Sequence, residues 1–157
     1  MTLLTEVIAD TPAGLPGLSW PTYPSAKDTR IAEEAIPAGR AITSVGATIE
    51  RGVLLPTTAA GITTLGAAGI SMLDVAKSEV SADYEESEPL TRIVKGRVWV
   101  AVEDAVTDGG AVFVRFASGT LGAFRSDNAA GDAAQMPGAV YRSSTSGAGL
   151  AVVEKLY

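Results

Sequence analysis

Cysteine and histidine are both missing from this 157-residue chain. Without cysteine there are no disulfides, no thiolate nucleophile, no iron–sulfur cluster and no cysteine-ligated zinc. Without histidine the commonest general base and the commonest metal ligand are gone. A catalytic site would have to be assembled from Asp, Glu, Lys, Tyr or Ser, which lowers the expectation of enzymatic function sharply. Aromatic residues make up only 6% of the chain, too few for the planar platform of a carbohydrate-binding β-domain. No apolar run approaches the roughly 20 residues that cross a bilayer. The opening MTLLTEVIAD has neither a basic stretch nor a long apolar one, so the expectation is a protein made in a cytoplasm without a secretory leader. Lys and Arg are scattered singly and the net charge is −6, which leaves no electrostatic footprint for nucleic acid. No membrane partner, metal or cofactor is expected.

What the chain has is small and apolar. Its apolar fraction is 46%, much of it Ala, with 17 glycines besides. That composition belongs to a globular protein of one domain's size, rich in tight turns and close backbone approaches. Helix signals are weak. Short runs of β-formers recur between turn residues, which predicts an all-β fold: a small β-roll or barrel, or a jelly-roll-like sandwich.

Residues 1–28 differ from the rest. Pro12, Pro16, Pro21 and Pro24 exclude a helix interior or a central strand. Leu15, Leu18, Trp20 and Tyr23 lie among them, and a free linker has no use for such side chains. The segment reads as an extended N-terminal arm with apolar anchors, laid along its own domain or a neighbour, the alternative being a tail without fixed structure. These four residues are the candidate protein-interface contacts, and residues 29–157 form the predicted β-domain.

Within that domain the sequence predicts strands over Arg30–Ile36, Ala41–Val45, Ile70–Ala76, Ile93–Val102, Ala139–Arg142 and Leu150–Leu156. In Ile93–Val102 the valines 94, 98, 100 and 102 would share one face, with Trp99 as a core or interface anchor. Val112–Phe116 and Leu121–Phe124 around Ala117-Ser118-Gly119-Thr120 read as a hairpin. Ala59–Gly69 is expected to be a loop with a brief strand, and Asn128–Gly138 a loop. Lys77–Pro89, with Glu79, Asp83, Glu85, Glu86 and Glu88, reads as a solvated acidic loop; its Ca²⁺-binding reading lacks EF-hand spacing.

The most informative feature is an internal echo. AEEAIPAGRAITSV (32–45) can be laid over VEDAVTDGGAVFVR (102–115), matching Glu33 with Glu103, Ala35 with Ala105, Gly39 with Gly109 and Ala41 with Ala111. Both copies describe a strand, an acidic corner with a glycine turn, and a second strand. The pairs Glu33–Glu34 and Glu103–Asp104 could be imagined as the carboxylates of a glycosidase, but their equivalent corner positions favour a structural origin. Other motifs fail on inspection. Gly61 and Gly66 have P-loop spacing, yet Ala67 and Ala68 stand where Lys and Ser/Thr are needed. Gly147-Ala148-Gly149 lacks the third Rossmann glycine, Val152 taking its place. Gly69-Ile70-Ser71 breaks the nucleophile-elbow pattern at Leu73.

The order KGRVWVAV, EDAVTDGGAVFV, Gly-x-Leu-Gly-Ala-Phe and PGAVYRSSTSGAGLAVVEK resembles the capsid cement, or head-decoration, proteins of tailed bacteriophages. The features carrying it are Val98-Trp99-Val100, Ala105-Val106 with Gly109, Pro137 to Tyr141, and Ser144 to Val153. Residues 91–156 carry the resemblance well, and residues 30–76 only in general pattern. It implies a non-enzymatic virion protein on the outside of the shell, a homotrimer in many members, that clamps adjacent subunits of the major capsid protein. A tail or baseplate component of similar β-fold is the other reading, and a carbohydrate-binding domain a more distant one.

Overall fold

A computed structural model describes residues 14–20, 23–74 and 83–157. The described chain is mainly β, as expected. Its strands are β1 (Ala26–Ala32), β2 (Ile36–Pro37), β3 (Ala41–Thr43), β4 (Gly52–Val53), β5 (Ala68–Ser71), β6 (Asp83–Tyr84), β7 (Pro89–Val102), β8 (Ala111–Arg115), β9 (Phe124–Arg125), β10 (Ala133–Tyr141) and β11 (Gly149–Lys155). One short helix, α1 (Ala59–Thr63), and a 3₁₀ turn (Ala129–Gly131) complete the described elements.

The sequence left roll, barrel and sandwich open; pairing decides for closed rings. In the second half β7 pairs with β11, β11 with β10, β10 with β8, β8 with β9, and β9 again with β7. In the first half β1 pairs with β7, β7 with β5 and β5 with β3; a bridge from Thr43 to Leu54 leads to β4, which lies parallel to β1. The 14-residue strand β7 serves both rings. Its N-terminal half closes the first and its C-terminal half opens the second, with Gly96 between them at φ +130°. A Cβ at Gly96 would come within 2.7 Å of the Ser25 side chain, so the pivot needs glycine both for its backbone angle and for its neighbour.

The echo is therefore a duplication of architecture, and it extends well beyond the residues that revealed it. Ala32 lies beside Val53 in a parallel pairing, as Val102 lies beside Phe124. The Glu33 amide donates to the Val53 carbonyl, and the Glu103 amide to that of Phe124, both at 2.9 Å. The Gly39 amide donates to Ser71 at 2.8 Å and the Gly109 amide to Tyr141 at 2.9 Å. Ala41 pairs with Ile70, as Ala111 does with Val140. Gly39 and Gly109 have φ of +76° and +79°, the left-handed turn that a side chain would strain.

Burial follows the strand alternation. Val98, Val100, Val102, Val112, Val114, Phe124, Met136, Tyr141, Ala151 and Val153 form the main core, and Ala41, Ile62, Ala68, Ile70, Met72 and Ile93 of the first half join the same cluster. A smaller cluster of Ala32, Ile36, Ile42, Val53, Tyr84 and Leu90 fills the far end of the first ring. Arg92, 2% exposed, ties three elements together. Its guanidinium donates to both Asp28 carboxylate oxygens at 2.9 and 2.8 Å and to the Ala67 carbonyl at 2.7 Å.

Several local expectations change. The first strand starts at Ala26 and stops at Ala32, because pairing with the long β7 recruits Lys27 and Asp28 while the Glu33–Glu34 corner ends it. Val94 is only half-buried, since the register shift near Gly96 rotates it off the core face of Val98, Val100 and Val102. Ala59–Thr63 is a helical turn, capped by the Thr58 hydroxyl, which accepts from the Gly61 amide at 3.3 Å, and it buries Ile62. The expected loop over Asn128–Gly138 is largely strand: β10 begins at Ala133, where the β8 edge supplies partners for an alanine-rich segment of little intrinsic β-preference. Of Lys77–Pro89, residues 77–82 lie outside the described residues, as do residues 75–76 of the strand expected over Ile70–Ala76. Asp83 and Tyr84 form β6 against β2.

Candidate functional site

The described part of the arm lies on its own domain as an added strand. Leu15-Pro16-Gly17-Leu18 makes a turn closed by the Leu18 amide donating to the Leu15 carbonyl at 3.0 Å, with Gly17 at φ +83°. Pro followed by Gly at the turn centre is the residue order that fits a type II turn. The chain then runs antiparallel to β7, with Ser19 opposite Val98. Gly17 donates to Trp99 at 2.8 Å, Trp99 donates to Leu18 at 3.0 Å, and Trp20 donates to Arg97 at 2.9 Å. On the other side the Leu73 amide donates to the Gly17 carbonyl at 2.9 Å. The approach is close: a Cβ at Gly17 would stand 2.5 Å from the Leu73 nitrogen, and one at Gly39 2.7 Å from the Gly17 nitrogen.

The four candidate contacts divide into two pairs. Trp20 and Tyr23 turn toward the domain. The Trp20 and Trp99 rings have centroids 5.7 Å apart and a 33° tilt, within the range of favourable aromatic pairs. The Arg97 guanidinium stacks 4.4 Å from the centre of the Tyr23 ring. Leu15 and Leu18 point away, 56% and 37% exposed. Trp99 is half-buried and covered by the arm, with Gly14 against its indole.

Beneath Tyr23 sits a charged cluster that the sequence reading missed. The Tyr23 hydroxyl donates to the Glu154 carboxylate, which also receives Arg142 and, at 3.3 Å, Arg97. Glu154 is only 2% exposed. Burial works against its charge, but the hydrogen bonds from Tyr23 and Arg142 and the charges of Arg97 and Arg142 outweigh it and hold the carboxyl below its ordinary range. The bond to Glu154, then burial and the carboxylate charge, push the Tyr23 hydroxyl up from its ordinary value. The one available signal was a lone acid in the apolar run Leu150-Ala-Val-Val-Glu154: a charge on a buried face needs partners.

The corner carboxylates brace loops. Glu33 accepts from the Thr48 and Ile49 amides at 2.7 and 2.9 Å, and these backbone bonds hold its carboxyl below the usual range. Glu34 accepts from the Leu55 amide at 2.7 Å, and its counterpart Asp104 from the Ser126 amide at 2.9 Å. Glu103 pairs with Arg115 at 2.8 Å and lies 3.4 Å from Arg125. Among the described residues no group of three or more metal-ligating acids is assembled.

Two fused β-rings with a docked arm, their corner acids engaged in the framework, have the makeup of a structural protein. Comparison with known proteins gives the same class. The family model described as structural cement protein (E217 gp24/Pam3 gp6) matches residues 4–155, so the chain belongs to the phage structural cement proteins. It is a capsid-stabilising component of a bacteriophage virion. A chain from the capsid of Myoviridae phage XM1 has the same fold, at 16% identity and a TM-score of 0.72, with 99% of this chain and 98% of that one covered. No curated protein sequence matches.

Proposed function

We propose that this protein binds the outer surface of a phage head and clamps adjacent subunits of the major capsid protein. The observation that carries this reading is the docked arm. Its backbone and aromatic rings are tied to the domain, while Leu15 and Leu18 are held outward on a preorganised support. Fixing apolar groups before binding reduces the ordering cost of association. In this reading residues 1–28 supply contacts and residues 29–157 the rigid body. Trp20 and Tyr23 act at the interface by positioning the two leucines.

A clamp needs buried area and no reactive group, and stable interfaces bury roughly 1,200–2,000 Å². Placement as a homotrimer would multiply modest contacts by avidity. The net charge of −6 suits an exterior position, since packaged DNA would repel it. With its corner acids bound into loop architecture, the protein acts without catalysis.

The test is to add purified protein to heads lacking it, then measure co-sedimentation and the temperature at which DNA is released. Saturable binding with a raised release temperature is expected, because a ligand of the intact shell stabilises it by mass action. Absence of binding, or binding without thermal protection, would overturn the clamp.

A further inference from the structure

The duplicated corners differ at a position beside the arm. Laying residues 32–45 over 102–115 sets Arg40 against Gly110. The second corner turns without any side chain there, so the corner itself does not call for an arginine. The Arg40 backbone is firmly held: its amide donates to the Ser71 hydroxyl at 3.0 Å, and its carbonyl accepts from the Ser71 amide at 2.9 Å. Its side chain is half-buried and makes no hydrogen bond or ion pair among the described residues. Glu103 and Asp83 act on it only as charges at a distance, while burial works against its own charge. Every other arginine except the exposed Arg51 has a carboxylate partner. A guanidinium partly stripped of water and left without an anion is costly to keep. Arg40 also borders the arm. A Cβ on its neighbour Gly39 would stand 2.7 Å from the Pro16 Cβ and 2.8 Å from the Pro16 carbonyl carbon. Pro16 lies in the turn that holds Leu15 and Leu18 outward.

We propose that Arg40 belongs to the same contact surface as Leu15 and Leu18, and that it receives a carboxylate presented by an apolar segment of the major capsid protein. The proposal rests on the clamp reading and adds the chemistry of the partner: apolar side chains for the two leucines, with an Asp or Glu beside them. Charge complementarity selects this occupant. The nearby acid Glu103 is already engaged by Arg115 at 2.8 Å and Arg125 at 3.4 Å, so it is not free to serve Arg40. A neutral or basic partner would cover the guanidinium without giving it an anion, which lowers affinity. A carboxylate matches the planar fork and can accept two hydrogen bonds from it. An arginine fixed at its base beside exposed apolar groups is also the kind of residue that dominates interface energies. Because the chain as a whole carries a charge of −6, a single basic contact sets register and partner choice more than general attraction.

The test uses the full-length chain and heads lacking it. Arg40→Met keeps an apolar stem and removes the charge. Its affinity for the heads is expected to fall at least about tenfold, the loss that follows removal of a charged hydrogen-bonding partner. Arg40→Lys should recover only part of it, because a point charge lacks the fork. The isolated Arg40→Met protein should melt at or above the parent temperature, since no partner within the chain is lost. Heads whose carboxylates have been amidated with carbodiimide and glycinamide supply the second arm. On them the parent should bind only as well as Arg40→Met does, while Arg40→Met itself should change little. Unchanged affinity of Arg40→Met for untreated heads would overturn the carboxylate contact and leave the clamp standing. So would equal losses for both proteins on amidated heads. A melting temperature lowered by more than about 4 °C would assign Arg40 a partner within its own chain and overturn the proposal too. Parent protein that binds no heads at all would overturn the clamp, and this contact with it.

Discussion

Trp20 of the arm and Trp99 of β7 stack at 5.7 Å, and the strand bearing Trp99 exchanges backbone hydrogen bonds with the arm on both sides of that contact. The arm is thus joined to the domain by a ladder and a ring pair together. Trp20→Ala should loosen it without unfolding either ring. The expected cost is about 2 kcal/mol in global stability, with faster proteolytic cleavage within residues 14–23, read by denaturant titration and limited proteolysis.

Gly17 tests the ladder separately. Gly17→Ala brings a Cβ to 2.5 Å from the Leu73 nitrogen at φ +83°, combining strain and overlap for about 2–3 kcal/mol. Faster hydrogen exchange at the Trp99 and Leu73 amides is expected, with the amides of β8 and β10 unchanged.

Arm docking should depend on pH through Glu154. Its carboxyl is held below the ordinary value of 4.5 in the folded protein, so its contribution is complete above that pH. The contribution is lost as pH falls through the depressed folded-state value. Protease sensitivity of the arm should therefore rise only below about pH 4.5. In Glu154→Gln it should be raised at neutral pH and flat across the acid range.

Leu15→Glu with Leu18→Glu addresses binding alone. Both side chains are largely exposed, so the melting temperature should stay within about 2 °C of the parent. Affinity for heads lacking the protein should fall at least about tenfold, the loss of two apolar contacts. Unchanged affinity would remove these leucines from the interface.

The duplicated corners predict paired effects. Glu34→Ala releases the Leu55 amide and should cost about 1 kcal/mol, whereas Asp104→Ala releases the Ser126 amide and hydroxyl and the contact with Arg125 and should cost about 1–2 kcal/mol. Neither should change affinity for the shell measured on folded protein. A large loss of binding from one alone would show that its corner touches a partner.

Much of this architecture is legible in residues close in sequence. Gly39 and Gly109 mark the turns because left-handed backbone angles nearly require glycine, and Glu33 with Glu103 mark the corners because acids there bind loop amides or arginines. The shared role of β7 is not legible. Pro89–Val102 has the length of two ordinary strands, and only its partners, β1 and β5 on one half and β11 and β9 on the other, show that it belongs to two rings. The helical turn at Ala59–Thr63 was hidden as well, being too short for a periodic pattern.

Composition, turn residues and alternation by themselves determined an all-β protein with a repeated corner, a proline-rich arm bearing apolar anchors, and neither cysteine nor histidine to build chemistry from. Tertiary structure alone decided where the arm lies, which anchors face inward, and that Glu154 would gather Tyr23, Arg97 and Arg142 around a buried charge. The reason is range. Backbone angles and capping are settled within a few residues, whereas Tyr23 and Glu154 meet only after the strands between them have closed two rings.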